Sequence, residues 1–361
     1  MDSGIYGSLY GLGICDALGG PVQFKARGTF PRVKTYQYND HFRVPPGAWS
    51  DDTSMALCLA ASLVENRGDM NVADQVRKYL RWFQGKGRTA YMLSVDERGS
   101  FDVGRSTRGS LGTWKRYLST EAEADDEAVV RSCQLRIDGR FNRVTCQGNG
   151  SLMRVAPIAL VAYARNYSAG SGSSSPDPRT DVMDAAATAA MVSSRPTHPH
   201  IACQEACALF VGLLLLLLWT SDSSSTNKSD LAASFSTLVT SRTLTDTTLQ
   251  TRLLPYRTVA DWHAKPADEI SSSGWVIDTL EAALWGFFTT GTFQQGALKV
   301  VNLGADADTV GAVYGALGGA WYGVEAIPKD WIQGVKKGDL ILGVAGSIVR
   351  LAEEEKPVIT T

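Results

Sequence analysis

No C-x-x-C pair occurs in the 361 residues, and the six cysteines are scattered, which excludes a disulfide scaffold and a cysteine-built zinc site. Histidine is scarce, with four in the chain. Two of them, His198 and His200, share a helix boundary with no partner at ligand spacing, so a polar loop is the default reading there. Neither sign of charge dominates: 35 Lys and Arg stand against 37 Asp and Glu, for a net charge of −2. That balance gives no electrostatic ground for nucleic-acid or membrane binding. The first residues have no basic stretch and no apolar signal core. The longest apolar run, 206–219, contains Leu213 to Leu218 unbroken. It falls short of the ~20 residues that cross a bilayer and reads as a buried core helix. An intracellular, cytoplasmic, monomeric protein is the expectation.

Long alternating apolar–polar segments are also few, while Ala, Leu and Gly dominate the periodic stretches. The pattern predicts an all-α bundle forming a single domain over residues 1–361. Gly4, Gly7 and Gly11 fall on one side of a first helix, and Gly311, Gly315, Gly319 and Gly323 form a stripe on a late one. Glycine is a poor helix former, so these rows imply close backbone packing. Cys203 and Cys207 share one helical face and read as small buried hydrophobes. Residues 168–178 and 220–230 are polar, low-complexity and expected to be mobile loops. The tail is expected to fray from about residue 353.

Two acidic stretches about 250 residues apart organise the rest. Ser50-Asp51-Asp52-Thr53 and Asp306-Ala307-Asp308-Thr309 each open an apolar helix. A well-capped helix complementing its macrodipole explains either one alone. It explains less well why the pattern recurs. Four carboxylates with flanking hydroxyls are what a pair of hard cations such as Mg²⁺ or Mn²⁺ requires, provided the fold unites them. Asp16 is the only charge in its run, either a supporting group or a helix-end polar residue. Asp102, in a Phe-Asp-Val-Gly turn, is a further candidate carboxylate or a simple turn residue. Gly148-Asn149-Gly150-Ser151 is a glycine-rich loop entering an apolar segment. It could cradle a phosphate, but it matches neither a Walker A loop nor G-x-G-x-x-G. Trp275 suits purine stacking or a core position.

Taken in order, Gly13–Gly19, Trp49–Thr53, Phe101–Gly104, Gly148–Arg154, Thr197-His198-Pro199 and Gly304–Thr309 resemble the ADP-ribosylglycohydrolase family over about residues 5–325. The resemblance implies an orthogonal all-α fold with two Mg²⁺ or Mn²⁺ ions in a central cleft. Ser50, Asp51, Asp52, Asp306, Asp308 and Thr309 would be the metal ligands. The Gly148, Asn149, Gly150 and Ser151 loop would hold a diphosphate, His198 would lie near the ribose, and Trp275 near the adenine or the leaving group. The implied reaction is hydrolysis at the anomeric carbon of the distal ribose, with Asp52 or Asp102 moving the proton. The implied partner is an ADP-ribosylated protein, through arginine or serine, or a small ADP-ribosyl compound. Three positions depart from the family pattern: Ser50 where threonine is usual, Gln23 where glutamate is common, and Arg105 where asparagine is common. A cation at Arg105 changes how a guanidinium leaving group is received.

Two other readings compete. A relative keeping the fold only to bind ADP-ribose would have no need of four intact carboxylates. Asp306-Ala307-Asp308-Thr309 after Val300-Val301 also fits the nucleophile motif of haloacid-dehalogenase-type phosphatases. That motif follows a strand and needs a Rossmann-like domain downstream, and only about 50 residues remain.

Overall fold

The architecture comes from a computed structural model that describes residues 2–85, 100–118, 127–167, 178–221 and 227–354. In chain order the α-helices are α1 (Asp2–Gly19), α2 (Asp51–Glu65), α3 (Val72–Phe83), α4 (Arg105–Tyr117), α5 (Glu127–Phe141), α6 (Ala156–Tyr167), α7 (Pro178–Ser194), α8 (Ile201–Ser221), α9 (Lys228–Ser241), α10 (Thr247–Leu253), α11 (Val259–Ala264), α12 (Val276–Phe288), α13 (Phe293–Val301), α14 (Ala307–Tyr322), α15 (Lys329–Gly334) and α16 (Gly338–Glu354). The described residues contain no strand, only isolated antiparallel bridges pairing Asn39 with Val44 and Gly148 with Trp275. The all-α expectation holds. The segment before Asp306 is helix α13 rather than a strand, which removes the footing of the phosphatase reading.

Helices α1 and α14 are the central pair, and glycine explains how close they lie. A Cβ on Gly7 would fall inside the carbonyl of Gly319, and one on Gly11 inside that of Gly315; the reverse substitutions collide equally. Farther along, Gly311 faces the carbonyl of Cys15, and Gly19 faces Ala307 and Asp308. No side chain fits this seam. The expected stripe therefore exists, except that Gly323 lies past the end of α14 with φ +78°, as its cap, a backbone conformation that glycine adopts without strain.

Around this pair packs α8, apolar on all sides and mostly buried; its Ile201–Thr220 span is long and apolar enough to cross a membrane, yet 83% of it is buried inside the molecule. The helix extends beyond the 206–219 run in both directions because Ala202, Cys203 and Thr220 continue it. Cys203 and Cys207 are buried on it. The polar stretch expected at 220–230 is shorter than its composition suggests. Helix α8 runs to Ser221, and α9 starts at Lys228 behind a capping box in which Asn227 and Asp230 satisfy each other's backbone N–H groups. The remainder of that stretch, residues 168–177, and the tail beyond 354 lie outside the described residues.

The seam can be tested by adding one methyl group. Gly315→Ala is expected to lower stability by about 2 kcal/mol or more through overpacking. Gly343→Ala, in α16 with no atom within 4 Å of the added Cβ, is expected to be neutral or to stabilise by up to ~1 kcal/mol. Urea denaturation of both variants would check the pair; equal effects would contradict the seam.

Candidate active site

Three helix ends meet where the seam terminates. Helix α2 begins with Ser50 as N-cap, its hydroxyl accepting from the Asp52 backbone N–H and donating to Asp52 Oδ2 at 2.9 Å. Asp16, near the end of α1, reinforces this cap. Its carboxylate accepts from the Ser50 N–H at 2.9 and 3.0 Å, the Thr53 N–H at 3.1 Å and the Thr53 hydroxyl at 2.6 Å. Helix α14 begins beside it with Asp306 as N-cap and Asp308 in the first turn. Asp16, Asp52 and Asp308 each offer an oxygen within 4.8 Å of the others, all buried.

Asp51, Asp102 and Asp306 adjoin this trio and line a cavity of about 830 Å³, a size that suits a nucleotide-sized ligand. Asp306 accepts from the Asn149 amide at 2.6 Å, and Asn149 also donates to Thr279 Oγ1 at 2.8 Å. Thr309 Oγ1 reaches Asp306 Oδ1 at 3.5 Å. The Gln23 side chain lies beside both Asp102 and Asp306 and favours their charged forms.

Burial is the first cause that drives every one of these carboxyls above its ordinary range, and at Asp51, Asp52, Asp102 and Asp308 neighbouring carboxylates add to it. Asp51 is raised further by Asp102 and Asp52, Asp52 by Asp16 and Asp306, and Asp308 by Asp102 and Asp306. Asp102 is pushed up to about 7 and Asp16 to about 6, although hydrogen bonds from Thr53 and Ser50 oppose the shift at Asp16. Asp52 Oδ1 and Asp308 Oδ2 are buried with no hydrogen-bond partner. Crowded oxygens of like charge with too few donors are the chemistry of a hard-cation site, so the residues fit divalent metal.

The glycine-rich loop forms the next wall. Asn149 N–H donates to Gly274 O at 3.1 Å and Val276 N–H to Gln147 O at 3.0 Å, stitching the loop to the start of α12. Gly148, Asn149 and Gly150 line the cavity with His198, and a Cβ on Gly150 would press on the His198 ring and the Thr107 hydroxyl. His198 Nδ1 lies 2.9 Å from Thr197 Oγ1, which accepts from buried Arg154 at 2.7 Å. Burial, aided by the Arg154 charge, lowers His198 to about 3, so its ring is neutral near pH 7.

Two expected binding residues sit elsewhere. Ser151 faces the core, where its hydroxyl takes a hydrogen bond from Ser194 at 2.9 Å. Trp275 is not part of the cavity lining; its indole donates to Gln147 Oε1 at 2.7 Å and lies under Arg252, 5.5 Å from the ring centre. Ser50 and Thr309 lie at the cluster as expected. Sequence reasoning missed Thr107, Phe141 and Met153 on the cavity wall. Met153 lies within the Gly148–Arg154 motif, whereas nothing in the local sequence marks Thr107 or Phe141, which tertiary packing brings to the cavity.

A family model described as ADP-ribosylglycohydrolase matches residues 2–358. The chain is 31% identical to the ADP-ribosylarginine hydrolase Tri1 of Pseudomonas putida (strain GB-1), over 91% of this chain and 73% of that protein. It is 30% identical to the Tri1 enzyme of Serratia proteamaculans (strain 568), over 97% and 80%. It is 26% identical to the ADP-ribosyl-[dinitrogen reductase] glycohydrolase of Rhodospirillum rubrum, over 91% and 88%. A solved structure titled as an ADP-ribosylglycohydrolase-related protein complex superposes with TM-score 0.67 at 31% identity, covering 97% of this chain and 98% of that one.

The His198 environment makes a pH prediction. An unfolded histidine gains a proton below about 6.5, whereas folded His198 resists protonation down to about 3. Stability from this residue is therefore present above pH 6.5 and lost as the pH falls. Between pH 7 and 5 the wild type should lose about 2 kcal/mol more than His198→Asn, measured by urea denaturation. Parallel losses would show that the folded ring takes up the proton.

Proposed function

We propose that this chain, which belongs to the ADP-ribosylglycohydrolase family, releases ADP-ribose from an ADP-ribosylated protein by metal-dependent hydrolysis at the anomeric carbon of the distal ribose. The observation that supports this reading most is the unpartnered oxygens of Asp52 and Asp308 in a buried carboxylate cluster beneath a nucleotide-sized cavity. Ser50, Asp51, Asp52, Asp306, Asp308 and Thr309 would hold two divalent ions, Mg²⁺ or Mn²⁺. Such ions, when bound, hold vicinal hydroxyls and make a bound water more acidic. Asp16 has its oxygens committed to Ser50 and Thr53, which suits it to fixing the ligands in place.

The chain's own groups account for the remaining tasks. Asp102 lines the cavity and is pushed up to about 7, so it can hold or release a proton at the bond being broken; Asp52 is the second candidate. The Gly148–Gly150 edge and the Thr107 hydroxyl offer donors to a diphosphate. Neutral His198 can hydrogen-bond a ribose hydroxyl, and Phe141 and Met153 give the base an apolar wall. Arginine is the favoured linkage because the Pseudomonas putida and Serratia proteamaculans relatives are ADP-ribosylarginine hydrolases.

Incubation with ADP-ribosyl-arginine and ADP-ribosyl-serine peptides, with Mg²⁺ or with EDTA, tests the reading by following free ADP-ribose. Release should need metal and fall to background in the Asp306→Ala, Asp308→Ala double variant. A wild type that binds metal and ADP-ribose but releases nothing would instead be a binding-only relative.

A further inference from the structure

Gln23 and Phe24 form a wall of the cavity that the reading above leaves without a use. Gln23 is 7% exposed. Its side chain lies beside Asp102 and Asp306, and its Oε1 is buried without a donor. Asp102 Oδ2 is likewise buried without a donor. Phe24, by contrast, is 61% exposed at the mouth of the same cavity. Its φ of +63° is a conformation a bulky side chain rarely adopts. The turn is locked: Phe24 N–H donates to Ala305 O at 2.7 Å, and Ala305 N–H donates to Lys25 O at 2.8 Å. Ala305 itself has φ +54°. Strain of this kind persists where surrounding structure over-determines it, often at a ligand site.

Other rings pack beside Phe24. Phe24 meets His41 edge-on at 5.2 Å, His41 meets Phe42 at 4.6 Å, and Phe42 meets Phe101 at 5.2 Å. Phe101 directly precedes Asp102. A row of rings thus links Phe24 to the residue that precedes Asp102.

We propose that this wall recognises the guanidinium of ADP-ribosyl-arginine, stacked on Phe24 with one N–H donated to Gln23 Oε1. The proposal rests on the hydrolase reading and identifies the residues that select the linkage. A guanidinium is planar, carries donors only and stacks on aromatic faces, which matches a wall offering acceptors and rings. The leaving oxygen of a serine linkage is an acceptor and has no N–H to offer Gln23 Oε1. Placement agrees: Gln23, Phe24, Asp306 and the Gly148–Gly150 edge line the same cavity. Arg105 also borders the cavity but is exposed, where water and salt screen its charge.

The test is the ratio of kcat/KM for ADP-ribosyl-arginine over ADP-ribosyl-serine peptides, in wild type, Phe24→Leu, Phe24→Tyr and Gln23→Leu. Phe24→Leu should lower the ratio about three- to tenfold, Gln23→Leu should lower it similarly, and Phe24→Tyr should retain it. Equal losses on both substrates, or an unchanged ratio, would overturn the proposal, because a merely structural role cannot move the ratio. If the wild type hydrolyses neither peptide, the hydrolase reading fails and affinity decides the proposal. It then stands if Phe24→Leu weakens binding of the arginine-linked peptide more than binding of free ADP-ribose, and falls if the two change alike.

Discussion

Backbone-to-backbone contact between α1 and α14 is the constraint from which the site follows. Because Gly7, Gly11, Gly315 and Gly319 leave no side chains in the seam, the two helices approach to a distance that larger residues forbid. The same contact continues through Gly311 against Cys15 and Gly19 against Ala307 and Asp308. It therefore sets Asp16 beside the first turn of α14. Asp16 in turn caps α2 through Ser50 and Thr53, which brings Asp52 to the same point. A packing rule thus becomes a placement rule for carboxylates from three separate parts of the chain.

The placement creates an electrostatic problem. Two helix N-termini point their positive ends into the cluster, and Asn149, Ser50 and Thr309 contribute hydrogen bonds. These donors are too few, since oxygens of Asp52 and Asp308 are still left without partners. The buried cation nearest in sequence to the glycine-rich loop, Arg154, is engaged elsewhere. It bonds Thr197 and stacks 4.7 Å from the centre of the Tyr79 ring, where it supports the neutral state of His198. Like charges that the protein does not neutralise are costly to bury. A divalent pair held there would offset that cost and would supply the Lewis acidity the proposed reaction needs.

Much of this was legible before any coordinates. The helix-capping acids, the glycine rows and the ordered motifs are local signals, and the all-α bundle, the seam and the convergence of Asp52 with Asp308 follow them. What remained hidden depends on partners distant in sequence. Asp16 reads as a lone polar residue until Ser50 and Thr53 arrive 34 and 37 positions later. The left-handed Phe24 turn exists because Ala305 locks it. Ser151 and Trp275 look like binding residues, yet Ser194 and Gln147 hold them away from the cavity. Composition also overstated the loop at 220–230, because Asn227 and Asp230 are turn formers that here cap a helix.

The central claim is that the carboxylate cluster is a cation site, and thermal unfolding at neutral pH with Mn²⁺ or Mg²⁺ against EDTA tests it most directly. The account expects a saturable rise in Tm for the wild type. For Asp308→Asn it expects a smaller rise together with a higher Tm in EDTA, since one uncompensated charge is gone. A wild-type Tm indifferent to both ions, with Asp308→Asn less stable in EDTA, would contradict it.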